Sequence, residues 1–265
     1  MSNREAADDL RTQWLAEYNR PFSGWDFSYL NGRREIIRPP DAWSYTDTVI
    51  AAMRTARSML DMGTGGGESL ASLPFRPPAT CATEGYGPNV LVARRRLEPL
   101  GVQVYGVSDV AHLPFATGQF DLVINNHAAY DPVEVWRVLS PGGRFIAEQV
   151  GGQTNRRLHE LLGDTRPPDQ WNPASARGSD WELAVAVSEL AAAGFRLLDQ
   201  REEFHITRYY DVGAIVYYLK AIPWEIPDFS VDRYFDKLLA LHRQIQAEGY
   251  VDILFHQFFI RAQKE

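Results

Sequence analysis

The sequence predicts an α/β protein whose central sheet is mostly parallel and covered by helices on both faces. Short apolar runs alternate with helical segments between residues 58 and 150. One of these runs, FDLVIN at 120–125, has an uninterrupted apolar centre, which is typical of a strand buried on both faces. A glycine cluster, LDMGTGGGES at 60–69, follows the first run of this alternation. Alternating strands and helices of this kind build a parallel sheet, with ligands bound at the carboxyl ends of its strands.

The individual elements follow from apolar spacing and from residues that start or stop helices. The predicted strands are 58–61, 79–84, 102–107, 120–125, 144–150, 195–204 and 253–261. The predicted helices are 5–19, 41–56, one from near 68, 88–100, one from 131, 155–162, 181–193 and further helices before the last strand. Asp131, Pro132 and Glu134 form a helix start, because Asp131 can cap and proline suits the first turn. That helix is expected to end at Ser140-Pro141-Gly142-Gly143.

We expect a single domain over residues 1–265. Within it we distinguish an N-terminal cap at 1–56, a cofactor-binding core at 57–150 and a C-terminal half at 151–265. The C-terminal half is expected to carry a helical lid at about 208–250.

Composition limits the classes of partner. The 265 residues carry a formal charge of −7, so an overall basic surface for nucleic acid is missing. Cys81 is the only cysteine, which excludes an intramolecular disulfide and a cysteine-based zinc site, and no metal is expected. The polar N-terminus has no signal-peptide pattern, and no apolar run is long enough to span a membrane. We therefore expect a cytoplasmic protein, either a monomer or a homodimer.

The residues of the glycine cluster do not match the patterns of phosphate-binding turns. A dinucleotide fingerprint starting at Gly63 would need a small residue at position 68, where the chain has Glu68. A carboxylate there would oppose a pyrophosphate at the helix N-terminus. The G-K-[ST] ending of a P-loop is also missing. The pattern that fits is D-x-G-x-G-x-G, formed by Asp61 and the glycines at 63, 65 and 67, which suits an uncharged or cationic group.

Acidic residues after the next two strands suit a nucleoside. Glu84 ends the second strand, where its carboxylate can accept hydrogen bonds from both hydroxyls of a ribose. Asp109 follows the third strand and can accept a hydrogen bond from an adenine amino group, with Val110 and Leu113 beside the ring. FDLVINN and VWRVLSPGGRF then follow at close spacing.

Together these stretches resemble the class I S-adenosylmethionine-dependent methyltransferases, in the subgroup with a compact methyltransferase domain that is typical of small-molecule enzymes. The resemblance covers residues 57–150. It implies a Rossmann-like seven-stranded sheet with an antiparallel last strand, and a helical cap from the N-terminus and from the insertion before that strand. It also implies S-adenosyl-L-methionine as cofactor and S-adenosyl-L-homocysteine as product. The implied cofactor-binding residues are Asp61, Gly63, Gly65, Gly67, Glu84, Asn89, Asp109, Val110, Asn125 and Asn126.

Methyl transfer needs a base only if the acceptor must lose a proton. His127, in NNHAAYD after the fourth strand, is the candidate, because this edge of the sheet faces the reactive methyl and histidine titrates near neutral pH. An equally weighted alternative is that His127 packs under the cofactor or caps the next turn. The turn of base-methylating enzymes, Asn or Asp followed by Pro-Pro and an aromatic residue, is missing here.

The acceptor is expected to be a small, partly apolar molecule. Two aromatic segments, 21–33 and 211–229, are candidates to cover it, although their side chains also suit the core of the cap. The candidate pocket residues are Trp25, Tyr29, Tyr130, His205, Tyr217 and Trp224. Two alternatives remain: an RNA methyltransferase, which the acidic balance disfavours, and a cofactor-binding protein without methyl transfer, such as a sensor or a cyclase.

Overall fold

The computed structural model describes residues 3–22, 26–40, 43–167, 170–171 and 180–265. The helices are α1 (Asn3–Tyr18), α2 (Tyr45–Met53), α3 (Glu68–Ser72), α4 (Gly87–Leu97), α5 (Pro132–Val138), α6 (Arg156–Leu162), α7 (Leu183–Ala192), α8 (Val212–Ala221) and α9 (Phe235–Glu248). The strands are β1 (Arg34–Ile37), β2 (Ser58–Met62), β3 (Ala79–Glu84), β4 (Gln103–Gly106), β5 (Phe120–Asn126), β6 (Leu139–Val150), β7 (Phe195–Tyr209) and β8 (Val251–Lys264).

The strands form one sheet in the order β1-β7-β8-β6-β5-β2-β3-β4. All pairings among β2, β3, β4, β5 and β6 are parallel, and the last strand, β8, is antiparallel to β6. The predicted fold class is therefore confirmed. In the part of the chain that the structure describes, no helix has the length and apolar character needed to cross a membrane.

The chain divides into two compact units. The first unit contains Met1–Pro40, Gly152–Asp180 and Phe204–His256, and the second contains Asp41–Gly151, Trp181–Glu203 and Gln257–Glu265. β7 and β8 are long strands with residues in both units.

The second unit has two apolar cores. Neighbouring residues of β2 belong to different cores: Met59 packs with Leu122 and Phe259, whereas Leu60 packs with other side chains such as Phe145. This division arises because successive side chains of a strand point to opposite faces. Burial on both faces explains the continuous apolar runs in β5 and β6.

The first unit has its own core. It combines Trp14 of α1, Tyr209 at the end of β7, and the buried sides of α8 and α9. α8 is buried along almost its whole length, which explains why its sequence, VGAIVYYLKA, lacks a polar face.

Two details differ from the sequence predictions. β1, an eighth strand, pairs antiparallel with β7, but most of its residues are exposed and it therefore lacks the apolar signature of a buried strand. α5 ends at Val138 and β6 begins at once at Leu139, so residues 140–143 lie within the strand rather than at a helix end. The β5–β6 register shifts between the pairs Phe120–Leu139 and Leu122–Arg144, and Gly142 has a φ of 75°, so the strand accommodates these residues as a bulge.

Candidate cofactor site and active site

The candidate site lies within the second unit, at the carboxyl ends of its parallel strands. Register places Met62 beside both Thr83 and Asn125, and Asn126 beside Glu148. The residues that end or follow β2, β3, β5 and β6 therefore meet at one edge of the sheet. This is the edge where open parallel sheets bind their ligands.

The glycine turn between β2 and α3 has a left-handed backbone at three positions. Gly63, Gly65 and Gly67 have φ values of 71°, 61° and 81°. At Gly63 an added Cβ would lie 2.2 Å from the Cβ of Ala128, and at Gly67 it would lie 2.8 Å from the side chain of Leu97. Glycine is thus required at 63 and 67 by the packing of the chain itself as well as by its conformation.

Glu84 is fixed by main-chain donors. The N–H of Gly65 donates to Oε2 and the N–H of Tyr86 donates to Oε1, each at 2.7 Å. The side chain is buried, and each carboxylate oxygen still has a lone pair for a further donor. This arrangement joins the glycine turn to the end of β3 and presents a fixed acceptor, as expected for a ribose.

Asp61 is a buried carboxylate at the end of β2. Burial raises its pKa to about 6, and the neighbouring Glu84 carboxylate adds to the rise. Tyr45, in the first turn of α2, lies near Asp61. Burial raises the pKa of its hydroxyl, and the negative charges of Asp61 and Glu148 raise it further. Negative charge thus accumulates beside the glycine turn.

Two buried side-chain atoms at this edge, Asn125 Nδ2 and Asn126 Oδ1, have no hydrogen-bond partner among the described residues. The hydroxyl of Thr64 lies against Asp61, and that of Tyr45 lies against the main chain of Asn125. Buried polar groups are normally paired, so these two unpaired atoms indicate a polar ligand. Together with the acidic side chains and the glycine turn, they fit a ligand with hydroxyl and cationic groups, such as S-adenosylmethionine.

The two asparagines at the end of β5 differ in their surroundings. Asn125 is completely buried, and its Oδ1 accepts hydrogen bonds from Gln149 Nε2 at 2.5 Å and from the N–H of Ala128 at 3.2 Å. It therefore anchors the turn after β5. Asn126 is partly exposed and is paired in register with Glu148.

His127 follows with a left-handed backbone, at a φ of 60°. Its N–H donates to the carbonyl of Glu148 at 2.8 Å, and its Nε2 lies 3.6 Å from Glu148 Oε2. The other carboxylate oxygen of Glu148 accepts a hydrogen bond from Trp43 Nε1 at 2.7 Å. Trp43, Glu148 and His127 thus form a chain of polar contacts at the carboxyl end of β5.

The residues expected at the adenine differ in burial, since Leu113 is buried whereas Asp109 is exposed. Asp109 accepts from His112 Nδ1 at 2.7 Å and from the N–H of Ala111 at 3.0 Å. The bond from His112 lowers the pKa of Asp109. Val110 is partly buried, and so is Asn89, which the resemblance implies at the cofactor without a more specific role.

The candidate acceptor residues fall in both units. Tyr130 belongs to the second unit, where it is buried against the rings of Phe145 and Trp181. The rest belong to the first unit, where the rings of Tyr29 and Tyr217 lie 4.9 Å apart. In that unit the ring of His205 stacks on Phe255 and Trp224 is half-buried. Trp25 lies outside the described residues.

Sequence reasoning missed Trp43 and Tyr45. They lie in and before α2, in a segment that was expected to be helical, and the one-dimensional pattern does not show that it approaches the ends of β2 and β6. The available signal in the sequence was the position of these two aromatic residues on either side of Ser44. Ser44 is the N-cap of α2, because its side chain accepts a hydrogen bond from the N–H of Asp47.

Comparison with known proteins identifies the segment that carries this site. Residues 60–147 match the family model described as "Methyltransferase domain". Among curated proteins, none matches the sequence.

Solved structures share the fold at low identity. The YcgJ protein from Bacillus subtilis is 17% identical, with a TM-score of 0.56 over 83% of this chain and 98% of that protein. A functionally unknown protein from Deinococcus radiodurans R1 is 13% identical, with a TM-score of 0.54 over 98% of this chain and 100% of that one. A geranyl diphosphate methyltransferase in complex with S-adenosylmethionine is 14% identical, with a TM-score of 0.50 over 83% of this chain and 84% of that enzyme.

Proposed function

We propose that this chain, which has the fold of class I S-adenosylmethionine-dependent methyltransferases and their domain at residues 60–147, transfers a methyl group from this cofactor to a small, partly apolar acceptor at oxygen, nitrogen or carbon. The observation that supports this most is the cluster of buried acidic groups at the glycine turn. Asp61 and Glu84 lie at the ends of adjacent strands, and the raised pKa of Asp61 shows that its negative charge is poorly compensated. A ligand with a sulfonium and an ammonium group would supply the missing positive charge.

Each part of the turn has a role in this proposal. The Glu84 carboxylate, held by the N–H groups of Gly65 and Tyr86, accepts the ribose hydroxyls. Asp61 and Tyr45 receive the ammonium end, and Asn126 borders the sulfonium. Asp109 and Val110 receive the adenine.

When bound, S-adenosylmethionine supplies a methyl group that is already activated by its sulfonium. The protein then has to align the acceptor, exclude water and, for some acceptors, remove a proton. His127 is proposed as the residue at this edge that accepts such a proton, and Tyr130 of the same unit is proposed to line the acceptor pocket.

Transfer of a labelled methyl group tests the proposal. The protein is incubated with S-adenosylmethionine labelled in the methyl group and with a small-molecule extract of cells. We expect label to move into a compound that partitions into a moderately apolar solvent, together with an equal amount of S-adenosylhomocysteine. Cofactor binding without transfer to any fraction would contradict the proposal and favour a sensor or a cyclase on the same fold.

The RNA alternative is tested in the same assay. Total RNA replaces the extract, with salt varied from low to physiological ionic strength. Incorporation of label into RNA at a rate above that into the small-molecule fraction would replace the proposed acceptor class.

A further inference from the structure

The segment between β4 and β5, which is proposed to receive the adenine, is held at both of its ends. At its start the N–H of Val107 donates to the carbonyl of Glu84 at 2.9 Å. At its end the N–H of Leu113 donates to Oε1 of Glu134 at 2.6 Å. Residues 108–112 form a short turn between these two contacts, and we call them the adenine turn.

Glu134 is a buried carboxylate in the first turn of α5. Its own N–H donates to Oδ1 of the helix cap Asp131 at 2.8 Å, which fixes its main chain to the turn after β5. Its Oε2 accepts from Nε of Arg137 at 2.8 Å. This hydrogen bond holds the pKa of Glu134 below its usual value, although burial opposes the shift. The carboxylate is therefore ionised at neutral pH and can only accept hydrogen bonds.

Arg137 completes the attachment of this segment to α5. Its Nη2 donates to Oε1 of Glu134 at 2.6 Å and to the carbonyl of Leu113 at 3.1 Å. Its Nη1 donates to the carbonyl of Phe115 at 2.8 Å. One pair of side chains thus binds both the N–H and the carbonyl of Leu113. Hydrogen bonds that involve a charged group are stronger than those between neutral groups, so this attachment is firm.

The adenine turn itself has few other supports. The side chains of Leu113 and Phe115, which follow it, are buried in a core of the second unit. Within the turn most residues are exposed, and the hydrogen bonds to the carboxylate of Asp109 come from its close neighbours Ala111 and His112. The position of the turn relative to the sheet therefore depends on the contacts at its two ends.

We infer that Glu134 is a positioning residue for the adenine of the cofactor, and that it acts with Arg137 through the main chain of Leu113. The pair holds the adenine turn in the place where Asp109 and Val110 receive the ring. The inference rests on the proposed function, which puts the adenine at these two residues. A loop that is already fixed before binding does not have to be ordered by the ligand, and affinity is gained in this way.

The role of Glu134 predicts a specific pattern of binding. The amino group of adenine can donate to Asp109, whereas hypoxanthine has an oxygen in that place and cannot. S-inosylhomocysteine, which carries hypoxanthine, should therefore bind more weakly than S-adenosylhomocysteine. This preference requires Asp109 to be held in place. A general loss of structure weakens the binding of both compounds, whereas a misplaced adenine turn removes the preference between them.

The first test uses the protein without ligand. Amide hydrogen exchange is followed by NMR at Leu113 and, as an internal reference, at Val123 of β5, whose strand pairs with β2. In Glu134→Ala we expect exchange at Leu113 to be about tenfold faster or more, because its N–H loses its acceptor, with Val123 unchanged. Glu134→Gln should give a smaller increase, since a neutral amide is a weaker acceptor.

Glu134→Gln also serves if Glu134→Ala does not fold, because its side chain has nearly the same shape. Unchanged exchange at Leu113 in every variant that folds would overturn the inference.

The second test is calorimetry with the two homocysteine compounds. The wild type should bind S-adenosylhomocysteine about tenfold more tightly than S-inosylhomocysteine, and Glu134→Ala should bind the two almost equally. Glu134→Gln should keep part of the preference. The matched control is Glu98→Gln, which removes the exposed carboxylate beside Arg94 in the same unit and should keep the wild-type preference in full.

The outcomes separate the two levels of the proposal. If the wild type binds neither compound, the proposed function fails. If it binds S-adenosylhomocysteine but shows no preference over S-inosylhomocysteine, the inference alone fails. The inference also fails alone if the wild-type preference is kept in both Glu134 variants, or if Glu98→Gln loses it to the same extent.

Discussion

Each of the two units places a histidine against carboxylates, and the two arrangements differ in how completely the charges are matched. In the first unit, His159 is 0% exposed, with Nδ1 at 2.8 Å from Asp164 and Nε2 at 2.7 Å from Glu225. The ring of Trp171 stacks on it at 4.7 Å, and Arg166 pairs with Asp164 at 2.6 Å. In the second unit, His127 is partly exposed and meets one carboxylate through one nitrogen, at 3.6 Å.

Two buried aspartates show the same contrast. Although burial opposes ionisation of Asp164, its hydrogen bonds from Arg166 and His159 hold its pKa below the usual value. Asp61 is buried beside Glu84, and its pKa rises to about 6. The comparison teaches that the charges of the first cluster are balanced within the protein, whereas the second keeps a negative charge that, in the proposed function, the cofactor balances.

The largest effect on stability is expected for His159→Ala. The substitution leaves two buried carboxylates without their shared donor, so the free energy of unfolding should fall by about 3–5 kcal/mol. Urea unfolding at neutral pH measures it, with His242→Ala as the control histidine of the same unit. A loss below about 1 kcal/mol would mean that the cluster is not the balanced network described.

Asp61→Asn, in contrast, should raise the free energy of unfolding above pH 6. Unfolded Asp61 ionises near pH 3.8, whereas in the folded protein it stays protonated until about pH 6, so the folded state binds more protons between these values. Stability therefore falls as pH rises through this window, by about 3 kcal/mol in total. The cofactor-free variant should match the wild type near pH 3.5 and be more stable at pH 8.

Unfolding curves of both proteins across this pH range test the prediction. An identical pH dependence in wild type and Asp61→Asn would show that the aspartate charge is already compensated. In the wild type, cofactor affinity should rise between pH 5 and 7 as Asp61 ionises, and it should be flat in the variant.

Gly63→Ala tests whether the glycine turn is built for packing as well as for binding. The new Cβ would lie 2.2 Å from that of Ala128 at a φ of 71°, so the free energy of unfolding should fall by about 1–3 kcal/mol even without ligand. Gly142→Ala is the matched control, because it has a similar φ of 75° and open space for a Cβ. Equal losses at both positions would show that backbone conformation, rather than the contact with Ala128, decides the effect.

The smallest effect on stability is expected for His127→Gly. Glycine adopts the left-handed backbone readily, which offsets its larger entropy in the unfolded chain, so stability should stay within about 1 kcal/mol of the wild type. Methyl transfer to an acceptor that must lose a proton should nevertheless be lost. A loss of stability as large as that of His159→Ala would show His127 to be structural.

Local chemistry made the core of the fold and the outline of the site predictable. The apolar run of β5, the cap at Asp131 and the turn between β2 and the helix at Glu68 each depend on neighbours in sequence, and these elements agree with the prediction. β1 could not be predicted in this way, because its exposed residues gain their structure from pairing with β7, far along the chain.

The contacts around Glu148 were unpredictable for the same reason. They join Trp43, His127 and Glu148, which are close only because β5 and β6 are paired and the segment before α2 reaches their ends. The neighbours of Asp61 likewise come from β3 and α2. The sequence indicated which residue types form the site. How their charges are balanced follows only from the folded structure, which brings distant residues together.

Calorimetric titration with S-adenosylmethionine tests the central claim most directly. The wild type should bind one equivalent, and Glu84→Ala should bind about 10–100-fold more weakly, because it loses a buried charged acceptor. Gly65→Val should also bind weakly, and the exposed Glu160→Ala should bind like the wild type. The account would be contradicted if the wild type did not bind the cofactor, or if both Glu84→Ala and Gly65→Val bound it with the affinity of the wild type.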